Sequence, residues 1–438
     1  LIGSRNVTPL LLILSFALPA HAASKNVHHH AAHRAAATPA MVWYVESIDG
    51  QVLDAREADA PINPASVIKV ATSWWALEKL GPDYRFVTSF YARGTVEPDK
   101  GQLKGDLVVR SDGDPDFQAE NAFLVAQSLN RMGIRRITGS VIVDSSFWMG
   151  WENGSEGANP NQEARGEQMA ARLRSALDVR RWTRGTRSSW IDYAARNGVP
   201  RSPVPSVQVL GGVHYESEPA TTTLLFEHRS KPLAETLRRF NCYSNNDIER
   251  VATSIGSASD LAVLLADRLV AANAPVSLQT TSGLGENRLS PRQIVSMLRG
   301  FRATAAGVGL PVEHLLAVSG CDPGTVTGAF PRLAAPPFAT ALVAKTGTLT
   351  STDGGITVLA GFLNTAEGEV VFCVAVPHAA GRIHLARRTE ENFVLDLLSR
   401  RGGAMPRTCG PPLLAPDEDA SIISTPAAAQ SVAGTTVR

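Results

Sequence analysis

The chain has 438 residues, 44% of them hydrophobic and 19% charged, with a formal net charge of +1. That is the balance of a soluble globular protein long enough for two or more domains. Near-neutrality excludes a chain-wide attraction to nucleic acid, and limits any membrane contact to a peripheral one. Cys242, Cys321, Cys373 and Cys409 are too dispersed for zinc-type pairs. No metal or other cofactor is expected, and three disulfide pairings or free thiols all remain open.

Arg5 precedes the apolar run Pro9 to Pro19, and Ala20-His21-Ala22 supplies a small-x-small site. This is the order of a secretory signal peptide cut after Ala22, with a run too short to span a bilayer. Export to the periplasm or cell envelope is the expectation. Residues 23–40 read as a disordered leader whose His28, His29, His30 and His33 form a solvated run.

Met41 to Ile48 alternates, Asp49-Gly50 marks a turn, and Gln51 to Ala55 completes a β-hairpin. Asn63-Pro64 breaks the chain. A helix begins near Ser66, with Val67, Val70, Ala71, Trp74 and Leu77 on its apolar stripe, and ends at Gly81-Pro82. Strands are predicted over Val87–Arg93, Leu107–Arg110 and Val141–Val143, with a helix from about Gln118 to Arg131. This α/β alternation opens an inserted domain over 86–231. Residues 150–205 show little periodicity and yield no assigned fold. Val207–Leu210 and Thr222–Glu227 lead back out as strands.

Pro232 to Phe240 reads as a helix interrupted by Asn241 to Asn246. A helix bearing Ile248, Val251, Ala252 and Ile255 follows, and Gly256 stops it. Asp260 to Ala272 is amphipathic, and Ser290-Pro291 opens a helix to Gly300. Ala341–Thr348, Thr357–Asn364 and Glu369–Pro377 form a meander, and His384 to Ser399 a closing helix. From about Met405 the Pro, Ala, Ser and Thr content predicts a disordered tail.

Three motifs carry chemistry. Ser66 and Lys69 lie one helical turn apart, so the amine can reach the hydroxyl, the minimum for a serine nucleophile with a lysine base. Lys69 must lose its charge to act, which burial and a neighbouring cation such as Lys345 promote. Ser244 can pass a proton to a leaving nitrogen. Asn246 can hold a peptide carbonyl and position Lys69. Lys345-Thr346-Gly347-Thr348 presents Lys345, Thr346 and Thr348 to a substrate carboxylate. The N–H groups of Ser66 and Thr348 would form an oxyanion hole. Each motif alone is weak, since Ser128-Leu129-Asn130 also matches Ser-x-Asn. Their joint order, on a helix start, an inter-helix loop and a strand, is the pattern of β-lactamases and penicillin-binding proteins.

Further stretches extend the match: Asn63-Pro64-Ala65-Ser66-Val67-Ile68-Lys69, Asp106 to Val109 with Gly113-Asp114-Pro115, Ser282-Gly283-Leu284 with Asn287 to Pro291, and Lys345 to Leu349 followed by Ala360-Gly361-Phe362. On these residues the chain resembles the low-molecular-mass class C penicillin-binding proteins, the D-alanyl-D-alanine carboxypeptidase/endopeptidase family. The resemblance implies an α/β (α+β) transpeptidase-like domain, over 41–85 and 232–404, with a five-stranded antiparallel sheet flanked by helices. It implies cleavage of D-Ala-D-Ala termini or cross-links of peptidoglycan through an acyl-serine, and acylation by β-lactams. The 178 residues from Ser66 to Ser244 are fewer than the family's two nested inserts need, so the insert is expected to be shortened. The Asp247-Ile248-Glu249-Arg250 helix start is more charged than the family pattern. A β-lactamase and a non-catalytic wall-binding homologue are the competing readings.

Overall fold

The computed structural model describes residues 40–152, 154, 160–221, 223–269 and 275–424. The expected signal peptide, almost all of the leader and the segment beyond 424 lie outside them. In chain order the elements are β1 (Val42–Ser47), β2 (Val52–Arg56), α1 (Lys69–Leu80), β3 (Val87–Glu97), β4 (Gln102–Ser111), α2 (Ala119–Arg131), β5 (Arg136–Ile137) and β6 (Val141–Val143). Then come α3 (Gln162–Leu177), α4 (Arg184–Arg196), β7 (Gln208–Val209), β8 (Val213–Tyr215) and β9 (Thr223–Arg229). Helices α5 (Leu233–Tyr243), α6 (Ile248–Thr253), α7 (Ala258–Arg268) and α8 (Pro291–Gly307) follow. The chain closes with β10 (Ala317–Val318), α9 (Thr325–Ala329), β11 (Leu342–Leu349), β12 (Ile356–Thr365), β13 (Gly368–Pro377), α10 (Ile383–Arg400) and β14 (Ser421–Ser424).

One antiparallel sheet runs β10-β11-β12-β13-β1-β2. It has the five expected strands plus the two-residue edge strand β10. Its central strands are apolar at nearly every position because both faces are covered. Val358, Ala360 and Phe362 of β12 pack into a core with α1 and α8. Leu359 and Leu363 point the other way, onto Phe393, Val394, Leu397 and Leu398 of α10. The period-two alternation of a strand thus divides one sequence run between two cores.

The segment between α1 and α5, joined at one edge by β14 from near the described C-terminal end, builds a second sheet, β14-β9-β3-β4-β5-β7, with β6 pairing β4 and β8. Its core joins Phe90, Leu107 and Val109 to α2 and to Met169 and Leu173 of α3. Strands β3 and β4 are longer than their sequence signal, extending as a hairpin to Glu97 and Gln102.

Three expectations need correction. Residues 150–205, left without a fold, contain α3 and α4, opened by Asn161 and Thr183 side chains that accept the N–H groups of Ala164 and Thr186. Abundant arginine masked their apolar positions. Helix α8 does not stop at Gly300 but continues to Gly307. A Cβ at Gly300 would lie 2.4 Å from the Trp74 ring, so the glycine serves close packing of α8 on α1. Residues 405–424 are not a disordered tail. Cys409 is bonded to Cys321, Asp417 pairs with Arg196, and β14 pairs with β9. Partners distant in sequence hold a segment whose own composition has no periodicity.

Candidate active site

Ser66 stands on a single 3-10 turn, Ala65–Ile68, and Lys69 is the first residue of α1. In a 3-10 turn residues i and i+3 eclipse, which lines the two side chains up more closely than an α-turn would. Entry to the turn is strained. Ala65 has φ of 45°, a left-handed value unusual for a residue with a Cβ. Asn63 holds it there, accepting from the Ala65 N–H at 3.0 Å and donating to the Gly285 carbonyl and the Asp353 carboxylate at 2.9 and 2.7 Å.

Two glycines let other elements approach this backbone. A Cβ at Gly283, whose φ is +94°, would fall 2.0 Å from the Ala65 carbonyl oxygen. One at Gly347 in β11 would fall 2.6 Å from the Pro64 carbonyl oxygen and 3.3 Å from the Ser66 nitrogen. Only glycine permits β11 and the Thr281–Leu284 loop to close on the serine from two sides.

Lys69 is fully buried, with Nζ 2.9 Å from Ser66 Oγ, 2.8 Å from Asn246 Oδ1 and 2.6 Å from the Ser282 carbonyl oxygen. As a neutral amine it can donate to Asn246 and Ser282 and accept the Ser66 hydroxyl proton. Burial pushes the amine well below its usual range, and the Lys345 charge adds to the effect, while Glu249 and Asp247 oppose it.

Helix α5 continues past Phe240 to Tyr243, and Ser244 caps it with a left-handed φ of 56°. Lys345, also fully buried, donates to Ser244 Oγ and to the Thr346 carbonyl, both at 2.8 Å. Burial lowers Lys345 to about 7. Thr346 Oγ1 donates to Thr325 Oγ1 at 2.7 Å. Thr348 Oγ1 donates to the Gly347 carbonyl and accepts from Arg387 at 3.1 Å. Ser66, Lys69 and Asn246 therefore form one hydrogen-bonded group, and Ser244, Lys345 and Thr346 a second. Gly347 brings the strand of the second against the turn of the first.

Sequence patterns assigned no role in this site to Glu249 or Arg387, and marked Asn63 and Gly283 only as members of stretches that carry the family resemblance. Asn63 lay in plain view beside Pro64. Glu249 was visible only as an unexpected charge at the start of α6. Ser282 Oγ donates to the Glu249 carboxylate at 2.5 Å. Its neighbour Asp247 accepts the N–H groups of Glu152 and Gly154 and pairs with the buried Arg250. Arg387 adds a cation beside Thr348 from α10, a helix whose sequence shows only its apolar stripe.

A serine and a buried lysine at the end of a helix, facing a lysine-bearing strand of an antiparallel sheet, define the lysine-dependent class of serine acyl-transfer sites. The model of the D-Ala-D-Ala carboxypeptidase 3 (S13) family matches residues 23–170 and 204–390, and the chain belongs to that family. Among curated relatives, a D-alanyl-D-alanine carboxypeptidase of Haemophilus influenzae is 31% identical over 90 residues, 20% of this chain and 18% of that protein. One from Actinomadura sp. (strain R39) is 30% identical over 107 residues, 24% of this chain and 20% of that protein. The aligned stretches thus span about a fifth of those relatives' length. A predatory endopeptidase of Bdellovibrio bacteriovorus, solved with its immunity protein, superposes with a TM-score of 0.72 at 21% identity, over 88% of this chain and 99% of that one. Its penicillin-G-acylated form gives 0.69 at 21% identity, over 88% of this chain and 99% of that one. Penicillin-binding protein 4 of H. influenzae gives 0.59 at 19%, over 83% and 97%. These likenesses establish the fold.

Proposed function

We propose that the protein is a serine D,D-peptidase that cleaves D-alanyl peptide bonds of peptidoglycan stems or cross-links through an acyl-serine, and that β-lactams acylate the same serine. The observation that carries this is Lys69 Nζ, wholly buried, 2.9 Å from Ser66 Oγ. Neutral Lys69 takes the Ser66 proton as Oγ attacks the carbonyl carbon of the penultimate D-alanine. The N–H groups of Ser66 and Thr348 stabilise the oxyanion, worth about 3–4 kcal/mol for well-placed donors. Ser244, held by Lys345, passes to the departing amine the proton that Lys69 took up, which returns Lys69 to its neutral form. Water then hydrolyses the ester, with Lys69 again as base. Thr346, Thr348 and Arg387 receive the substrate carboxylate, and Asn246 the peptide carbonyl.

Export to the cell envelope belongs to the same proposal. The Arg5-to-Ala22 pattern supports it, as does a Cys321–Cys409 disulfide, which suits an oxidising compartment.

A labelled penicillin should bind Ser66 covalently and leave slowly, with all label lost in Ser66→Ala. Release of D-Ala from a pentapeptide should accompany it. Rapid penicillin turnover would instead indicate a β-lactamase, and no label at all a non-catalytic homologue.

A further inference from the structure

Within that reading of the site, one buried acid has no part in the mechanism described above. Glu249 lies in the first turn of α6, three residues beyond Asn246, and is only 8% exposed. Its carboxylate accepts the Ser282 hydroxyl at 2.5 Å, and the carbonyl of the same Ser282 accepts from Lys69 at 2.6 Å. Ser282 is itself fully buried. A Cβ at Gly154 would lie 2.5 Å from the Glu249 carboxylate, so that backbone closes over the acid.

We propose that Glu249 is the positioning residue of the Ser66–Lys69 pair, fixing the Ser282 carbonyl on the lysine and stabilising the positive charge that Lys69 acquires when it takes the serine proton. The logic is that of the third member of a serine triad, which orients the base and stabilises its cation without taking the proton. Here the base is a lysine, and the connection runs through one residue's hydroxyl and carbonyl. Three charged groups on two elements act on Lys69. Lys345 from β11 opposes its protonation, whereas Glu249 and Asp247 from the start of α6 favour it. Arg250 on the same helix is engaged by Asp247 at 2.8 Å. Of the two acids, Glu249 is the one with a hydrogen-bonded path to the amine.

Such balance matters because the base has two tasks. Burial, with Lys345 alongside, favours the neutral form of Lys69, the form able to accept a proton. Without a counter-charge, the lysinium formed during acylation would be destabilised by the same surroundings.

The test is a pH titration of the lysine side-chain 13C resonances. The chain has only seven lysines, and the Lys69 signal is the one that disappears in Lys69→Arg. In Glu249→Gln the Lys69 midpoint should fall by about one unit, since loss of a negative charge disfavours the ammonium form. Glu249→Asp, which keeps the charge on a shorter arm, should hold the midpoint near wild type while slowing penicillin labelling of Ser66. Glu249→Gln should slow labelling about 10- to 100-fold at its plateau, with the rising limb displaced to lower pH. An unchanged midpoint in Glu249→Gln, or an equal fall in the Asp and Gln variants, would overturn the proposal. Thermal unfolding shows that each variant is folded. Absence of labelling in the wild type would count against the peptidase reading, and the lysine titration would still decide the role of Glu249.

Discussion

Two lysines, both completely buried, set the character of the site, and they are costly in opposite senses to fold and function. Lys345 titrates at about 7 in the folded protein against 10.5 for the free side chain. Between those values the unfolded chain binds more protons, so this residue makes stability rise with pH from about 7 to 10.5. Below pH 7 its burial costs most. Lys345→Met should therefore stabilise the protein at pH 6 by about 2–4 kcal/mol, a gain that shrinks toward pH 10. The same change should slow penicillin labelling about 100-fold or more, because Ser244 loses the donor that holds it. Denaturant unfolding at several pH values, with labelling kinetics on the same samples, checks both. The two lysines were legible as site candidates from the motifs, because few residue types suit the chemistry those motifs suggest. The roles of Asn63 and Glu249 were not legible, since an asparagine before proline and an acid at a helix start each have commoner explanations.

At the scale of elements, the site depends on how closely three segments meet. Gly283 approaches the Ala65 carbonyl so tightly that any Cβ must displace backbone. Gly283→Ala should cost about 2–3 kcal/mol, from overlap and from its positive φ, and should abolish labelling by moving the Ser66 turn. Chemical denaturation and a labelling gel distinguish this from a purely local loss. The charged start of α6 also has an explanation at this scale. Asp247 is wholly buried because it caps the Glu152 and Gly154 amides, and Arg250 is buried over the Trp148 ring at 4.5 Å. The helix is charged where the segment between α1 and α5 docks on it. On the far face of the first sheet, Glu390 of α10 is fully buried and has no ion pair among the described residues. Burial raises its carboxyl well above 4.5. The folded state therefore keeps a proton that the unfolded chain releases, and this contribution to stability is full below pH 4.5 and lost as pH rises through the folded value. Glu390→Gln should flatten that decline and add about 1–2 kcal/mol near neutrality, measurable as a rise in Tm at pH 7 that is absent at pH 4.

For the whole molecule, the 405–424 segment stitches distant parts together. The Cys321–Cys409 bond closes a loop with a sequence separation of 88. Its removal in Cys409→Ser should cost about 2–4 kcal/mol, read by urea unfolding. The 405–424 segment should become protease-sensitive, while β14 weakens on β9. Cys242 and Cys373 are buried thiols, so mild reductant should reproduce the Cys409→Ser effect and add little more.

The sequence by itself determined the local events. Strand alternation, the Ser-Pro start of α8, the β11–β13 meander and the three candidate site motifs all arise from neighbours a few residues apart, where side-chain periodicity and turn chemistry act directly. It also determined the likeness to D-alanyl-D-alanine peptidases, because the motif residues stand in the required order. Only the tertiary structure decided which residues complete the site. Gly300 is read locally as a stop, but Trp74 makes it a packing residue. The 405–424 tail lacks periodicity, but a disulfide and an edge strand order it. Glu249 reaches Lys69 only because Ser282 stands between them, 33 residues beyond one partner and 213 beyond the other. Contacts of that separation depend on closure of the whole chain, and no local pattern encodes them.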